Sequence, residues 1–359
     1  MSDYYIHCEM ELKQKFPFYI ENILTRGNFI GLLSSNFELF SLNEKLFSKK
    51  LRSSELLHLN EFYVAHTQRD FFDGLWLIEI YQHGNYENPL DSIALKTSIF
   101  PAQFCMYDHY LGSISYNSLY YITFSVFDLQ RKEEIKTISL KKFDPDNNPN
   151  DWVFHYFTPF IELTDKYIIV TTGLSTCHFY SFCDDNKTKT ITVDGKITKI
   201  ISNTDFLIVF SHSVSAQYTL INLETFDKQV FPTEIDLYDS QLYNMMDISS
   251  EIFAYYYNNK IEIFDFTLDV SYQHPLPKEL KNVTALSVKG DKIFIVTYDN
   301  NAHFSSILEF TITRTSFHDL QLVLHKTLLG PFSVNYDVKS YISEFFGKII
   351  RKGQRYLKI

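Results

Sequence analysis

Apolar residues along this chain fall in short runs or in strict alternation, broken by Asn, Asp, Ser or Gly. The i, i+3, i+4 spacing of a helix is almost never sustained. The pattern predicts strands nearly throughout, with helix confined to the C-terminus. One arrangement recurs: a polar residue leads a short apolar strand, a few turn residues follow, and a second strand ends in a polar turn. It begins at Asn28 (NFIGLL), Glu61 (EFYVAH), His109 (HYLGSIS), Lys166 (KYIIVTT), Asp205 (DFLIVF), Glu251 (EIFAYY) and Lys292 (KIFIVT). The copies lie about 33 to about 57 residues apart with a mean near 44, the period of four-stranded propeller blades.

Each copy also has strand-like sequence before it, as in FPFYIENI from Phe16, KITKII from Lys196, QLYNMMDI from Gln241 and NVTALSV from Asn282. These are expected to be the innermost strands of their units. Asn258-Asn259, between two apolar runs, reads as a hairpin turn. In the strand that follows, Ser125-Val126-Phe127-Asp128-Leu129 and Glu262-Ile263-Phe264-Asp265-Phe266 resemble the WD40-repeat strand that ends in Trp-Asp, with Phe in place of Trp. The similarity is at the level of the repeat and covers most of the chain. Neither Trp76 nor Trp152 is followed by Asp, and no Gly-His dipeptide precedes a unit, so the Asp-His-Ser-Trp set of regular WD40 blades does not carry over. The resemblance implies a divergent propeller held by strand pairing and apolar packing between blades.

The fold class expected is therefore all-β: a single β-propeller of about seven four-stranded blades over residues 1–338, followed by a basic tail over 339–359. Six or eight blades also fit the spacing, and a pair of β-sandwiches is the alternative fold. Residues 4–12 alternate, with Ile6, Cys8, Met10 and Leu12 on one face, and predict an N-terminal strand. With PFSVNYDV from Pro331 it is expected to complete the ring, since closure removes exposed sheet edges. The Pro- and Asn-rich stretch Asp144–Asp151 reads as a solvated insertion.

Composition narrows the function classes. With 359 residues, 45% hydrophobic and 21% charged, the chain is long enough for one large core. The start has no basic stretch followed by an apolar run, and nowhere do 18 consecutive apolar residues occur, so neither a signal peptide nor a membrane span is expected. Cys8, Cys105, Cys177 and Cys183 form no CxxC pair, which points to a reducing intracellular, cytoplasmic setting. The Asn186-Lys187-Thr188 and Asn282-Val283-Thr284 glycosylation triplets are then silent.

Motifs for chemistry are missing. Neither GxGxxG nor GxxxxGK[ST] occurs, HExxH and GxSxG are absent, and the 12 histidines show no metal-ligand spacing. No cofactor and no catalytic residue is expected. A net charge of −10 disfavours nucleic acid. The reading is a non-catalytic interaction scaffold, a subunit or adaptor of a larger intracellular complex. The rival is a hydrolase with carboxylates lining an axial funnel.

Charge is segregated along the chain. Residues 339–359 hold six basic side chains and Glu344, net +5, so the rest carries −15. Wound as a helix, Tyr341, Ile342, Phe345, Phe346, Ile349 and Ile350 form an apolar face, and Lys348, Arg351, Lys352 and Arg355 form a basic stripe. Such a helix docks on the propeller, on a partner protein or on an anionic membrane. Ile350-Arg351-Lys352-Gly353 has a faint likeness to the Phe-Arg-Arg-Gly motif of phosphoinositide-binding propellers. Tyr341, Phe345, Phe346, Lys348, Ile349, Arg351, Lys352 and Arg355 are the candidate binding residues.

Overall fold

The computed structural model describes residues 4–316 except 35, 42–43, 51–56, 70–75, 96–103, 117–120, 142–158, 173, 183–187, 234–243, 277–279 and 281. Two units are present. The larger, Cys8–Ile312, carries the blades; the smaller comprises Met1–His7 and Thr313–Ile359, and its described residues are the ends of two long strands.

The first of these strands is β1 (Tyr4–Phe16). Blade 1 is β2 (Asn22–Arg26), β3 (Phe29–Leu33), β4 (Asn36–Ser41) and β5 (Glu44–Lys50). Blade 2 is β6 (Leu57–Leu59), β7 (Tyr63–Arg69), β8 (Trp76–Gln82) and β9 (Asp91–Leu95). Blade 3 is β10 (Phe104–Tyr107), β11 (Tyr110–Tyr116), β12 (Tyr121–Asp128) and β13 (Glu133–Lys141). Blade 4 is β14 (Phe160–Leu163), β15 (Tyr167–Thr171), β16 (Thr176–Ser181) and β17 (Thr188–Thr192). Blade 5 is β18 (Lys196–Ser202), β19 (Phe206–His212), β20 (Ala216–Asn222) and β21 (Lys228–Pro232). Blade 6 is β22 (Met246–Ile248), β23 (Ile252–Tyr257), β24 (Lys260–Asp265) and β25 (Val270–Pro275). Blade 7 is β26 (Val283–Lys289), β27 (Lys292–Asp299) and β28 (Phe304–Ser316), with β1 as its fourth strand.

The first strands touch in succession, β2, β6, β10, β14, β18, β22 and β26, and β26 returns to β2, so the seven sheets close into a ring about an axis. The protein is an all-β, seven-bladed propeller, and no α-helix occurs among the described residues.

All seven repeat copies found in the sequence are second strands. The physical reason is burial on both faces. In β15, β19, β23 and β27 four or five successive residues are buried, because each sheet is covered by a neighbouring blade on either side, which selects an unbroken apolar run. The core is accordingly divided between blades: Ile169, Cys177 and Phe179 of blade 4 pack on Ile197, Leu207 and Val209 of blade 5, and Phe210 and Tyr218 of blade 5 pack on Phe253 and Tyr255 of blade 6. A fully buried side chain of this size contributes about 1.5–3 kcal/mol, so each inter-blade seam is a substantial fraction of total stability.

The predicted hairpin is present, with Asn258 and Asn259 at φ 49° and 61°, the left-handed pair of a type I′ turn. One expectation needs correction: the inner strand of blade 1 begins at Asn22 rather than near Phe16, which instead ends β1; Pro17 has no N–H to continue a ladder. The N-terminal strand expected over residues 4–12 is present as β1 and completes blade 7 as its outermost strand, where Met10 and Leu12 are about half exposed, at 45% and 48%. Pro331–Val338 and the Asp144–Asp151 stretch lie outside the described residues.

Candidate functional site on the ring axis

The first strands place ionisable side chains where the blades converge. Arg26 on β2 and Asp247 on β22 meet across blade 7. Arg26 donates through Nη1 to Asp247 Oδ2 and through Nη2 to Oδ1, both at 2.9 Å, a bidentate geometry with directional strength. Asp247 Oδ2 also accepts from the Ser287 hydroxyl at 2.7 Å and the Val288 amide at 2.9 Å, and Oδ1 accepts from the Ile248 amide at 2.9 Å. Thr25 extends the network, its amide donating to Ser287 Oγ at 3.0 Å. This clasp ties blades 6, 7 and 1, and polar groups therefore add to the apolar packing expected between blades.

Asp247 is saturated. Five donors address a carboxylate with about four lone-pair sites, and the residue is 5% exposed. Burial opposes its charge, but Arg26, Val288 and Ser287 outweigh it and hold the carboxyl below its ordinary value. Burial likewise works against the Arg26 charge, and Asp247 overcomes it, so the guanidinium pKa is raised. Asp247 is thus a structural anchor with no lone pair left for a substrate.

Three further groups share this electrostatic neighbourhood. Burial lifts the Glu162 carboxyl on β14 to about 7, against the 3.1 Å hydrogen bond from Ser202 and the attraction of Lys199 and Arg26. Burial brings Lys199 on β18 down to about 8, although Asp247 and Glu162 favour its charge. Burial, with repulsion from Arg26 and Lys199, pulls His58 on β6 to about 4, so it is neutral at physiological pH. Glu162 is the carboxyl poised near neutrality, and Asp247, its would-be partner in a hydrolytic pair, is fully engaged.

One rim of the ring is organised by the turns between first and second strands. A side-chain acceptor stands at the start of four of them: Asn60, Thr164, Asn203 and Ser249 receive the amides of Tyr63, Tyr167, Phe206 and Ile252 at 2.7–3.1 Å. The same residues reach onward, Asn60 to the Asp108 carbonyl at 2.8 Å, Asn203 to that of Ser249 at 2.6 Å, and Ser249 to that of Gly290 at 2.8 Å. Aromatic wedges join blades here as well. Phe29 stacks on His83 with centroids 3.8 Å apart, and Phe206 on Phe266 at 4.4 Å. Phe62 projects from this rim, 50% exposed, beside Glu61; the Asp108, Asp165 and Asp205 side chains are exposed in the neighbouring turns.

Other buried ionisable groups are structural. Glu79 is held down to about 2 by hydrogen bonds from His66 and Lys49, with Tyr81 also contributing, and Lys49 of blade 1 thereby grips blade 2. Burial pushes the Cys177 thiol to about 12 and that of Cys105 upward, which makes both poor nucleophiles. Among the described residues no three His, Cys, Asp or Glu side chains could hold a metal ion.

The predicted binding residues Tyr341, Phe345, Phe346, Lys348, Ile349, Arg351, Lys352 and Arg355 lie outside the described residues. The axial residues Arg26, His58, Glu162, Lys199 and Asp247 were not singled out from the sequence. The available signal was a charge inside an apolar strand, as Lys199 in KITKII, Asp247 in NMMDI and Glu162 in FIEL.

No protein-family model and no curated protein matches the chain. Among solved structures, the β-propeller domain of the Trilobed protease from Pyrococcus furiosus is similar at TM-score 0.55 and 10% identity, covering 84% of this chain and 99% of that one. The Cps50 (Swd1) propeller of Myceliophteria thermophila follows at 0.53 and 11%, covering 84% and 99%. The Neurospora crassa Pan2 WD40 domain is similar at 0.51 and 10%, covering 81% and 88%. At these identities the likeness is one of fold alone, that of a β-propeller.

Proposed function

We propose that this protein is a non-catalytic interaction scaffold working inside the cell, as a subunit or adaptor of a larger assembly. The observation that carries the reading is the turn rim: a relay of hydrogen bonds and aromatic wedges fixes its backbone, while Phe62, Glu61, Asp108, Asp165 and Asp205 stay open to solvent. A rigid array that presents variable exposed turns suits protein recognition. The saturation of Asp247 weighs against the hydrolase alternative, since that carboxylate has no free lone pair for a nucleophilic or basic role. The basic tail is proposed as a second contact surface, through Lys348, Arg351, Lys352 and Arg355 with the apolar Tyr341, Phe345, Phe346 and Ile349.

Size-exclusion of native extract tests the reading. The chain is expected well above its monomer mass of 42.3 kDa. Phe62→Ser with Glu61→Gln should release it if the rim binds, and deletion of residues 339–359 should release it if the tail does. A chain that runs as a monomer in native extract would defeat the proposal.

A further inference from the structure

Blade 3 holds a histidine between two carboxylates on the turn rim. Tyr107 and Tyr110 pair across the two-residue turn Asp108-His109, with Asp108 at φ 51°. The turn sets its two side chains together, His109 Nδ1 lying 2.9 Å from Asp108 Oδ2. The other ring nitrogen, Nε2, is 3.9 Å from Asp128 Oδ2 at the end of β12, an ion-pair separation rather than a hydrogen bond. Asp128 is buried, and its Oδ1 accepts the Gln130 and Arg131 amides at 2.9 and 3.0 Å, so it fixes the turn into β13. The His109 carbonyl accepts the Leu129 amide at 2.9 Å, and the Asp108 carbonyl is the one that Asn60 of blade 2 reaches. The imidazole therefore stands where two turns of blade 3 and one of blade 2 meet.

A neutral imidazole has one N–H and one lone pair, so it can donate to one of these carboxylates while the lone pair faces the other; an imidazolium donates from both nitrogens. We propose that His109 is a proton-operated clasp on the turn rim. Protonated, it draws the Asp108-His109 turn and the Asp128–Glu133 turn together; neutral, it lets go of one carboxylate. Imidazole is the side chain suited to such a switch, changing charge between pH 5 and 8. Among the described residues, the other groups around the ring leave this balance intact. Arg131 Nε is 3.5 Å from Asp128 Oδ2 and competes for it, but the Arg131 side chain is 72% exposed and its Nη1 is 3.8 Å from Glu133. Tyr63 of blade 2 lies in the field of Asp108 and Asp128, and Tyr107 in that of Asp165, Asp108 and Asp205; burial raises both phenols, which stay neutral. Tyr110 packs on the ring with centroids 4.1 Å apart, and Phe182, just after β16, lies 5.0 Å beyond it. His83 of blade 2 donates to the Asn60 carbonyl at 3.0 Å, and burial holds it below its usual value. On the reading of the rim as a binding surface, on which this clause alone rests, a partner meets Asp108 free above the transition and engaged below it.

The test is NMR of the full chain at low salt across the range in which imidazoles titrate, about pH 5 to 8. It follows the His109 Cε1–H signal together with hydrogen exchange at the Leu129, Gln130 and Arg131 amides. Corrected for intrinsic rates, protection of these amides should fall about two- to fivefold as pH rises, with the same midpoint as the His109 signal. His109→Gln keeps a donor but has no titrating proton and should show no such step, and Asp108→Asn should shrink it. Circular dichroism checks that both variants fold; if His109→Gln does not, the Asp108→Asn profile decides. A flat wild-type profile overturns the proposal, as does a step that His109→Gln keeps or that Asp108→Asn leaves at full size. None of these measurements needs a partner, so the clasp can fail while the rim still binds one.

Discussion

Replacing Glu162 by Gln should stabilise the ring, but only at neutral and higher pH. The carboxyl has an ordinary value of 4.5 and sits at about 7 in the fold, so between these pH values the folded protein keeps a proton that the unfolded chain has released. The stability linked to this group is complete below about pH 4.5 and falls as pH climbs toward 7. The difference corresponds to at most about 3 kcal/mol. Solvent contact at the axis screens part of it, and the Gln variant removes one of the two carboxylates that favour the Lys199 charge, so about 1–3 kcal/mol remains. Urea unfolding at pH 4.5 and pH 8 measures it, with the slope held to that of the wild type. Glu162→Gln should match the wild type within about 0.5 kcal/mol at pH 4.5 and exceed it by about 1–3 kcal/mol at pH 8. An offset equal at both pH values, or a loss at pH 8, would refute the assignment of burial as the dominant influence.

Asp247→Asn strands Arg26 without its counter-charge and sets an amide against donors, so thermal or urea unfolding should show a loss of about 3–5 kcal/mol. Gly195 has φ +81°, and a Cβ there would lie 2.4 Å from the His212 carbonyl oxygen; Gly195→Ala should lower stability by about 2 kcal/mol or more. Cys105 and Cys177, buried with raised thiols, should resist alkylation in native protein and react after unfolding, read by peptide mass spectrometry. Rapid labelling of the native chain at either residue would contradict their placement.

What the sequence reveals and what it hides follow from how many sides of a strand are covered. Second strands such as β19 and β27, flanked by blades on both faces, must be apolar at successive positions, and that run is visible in DFLIVF and KIFIVT. Outer strands are nearly bare: β17 (TKTIT) has a single buried residue and β21 (KQVFP) has none, so composition scarcely constrains them. The axial cluster was illegible for a different reason. Arg26 and Asp247 are 221 residues apart, and only ring closure brings them within hydrogen-bond reach. A charge in an apolar strand signals that something compensates it, but not which distant side chain does so.

The make-up of blade 7 has a consequence in time. Strand β1 is synthesised first, yet the sheet it completes, β26 to β28, comes almost three hundred residues later. At a ribosomal pace of roughly 5–20 residues per second, β1 waits about 15–60 s for its partner. Through that interval its backbone donors and acceptors form an open edge able to pair with other chains. The bonds that seal the join are equally non-local: Ile20 to Ser305 spans 285 residues and Thr25 to Ser287 spans 262. Closure is therefore the step of highest contact order and the one expected to limit the folding rate. The ring acquires its full cooperativity only when its oldest and youngest strands meet.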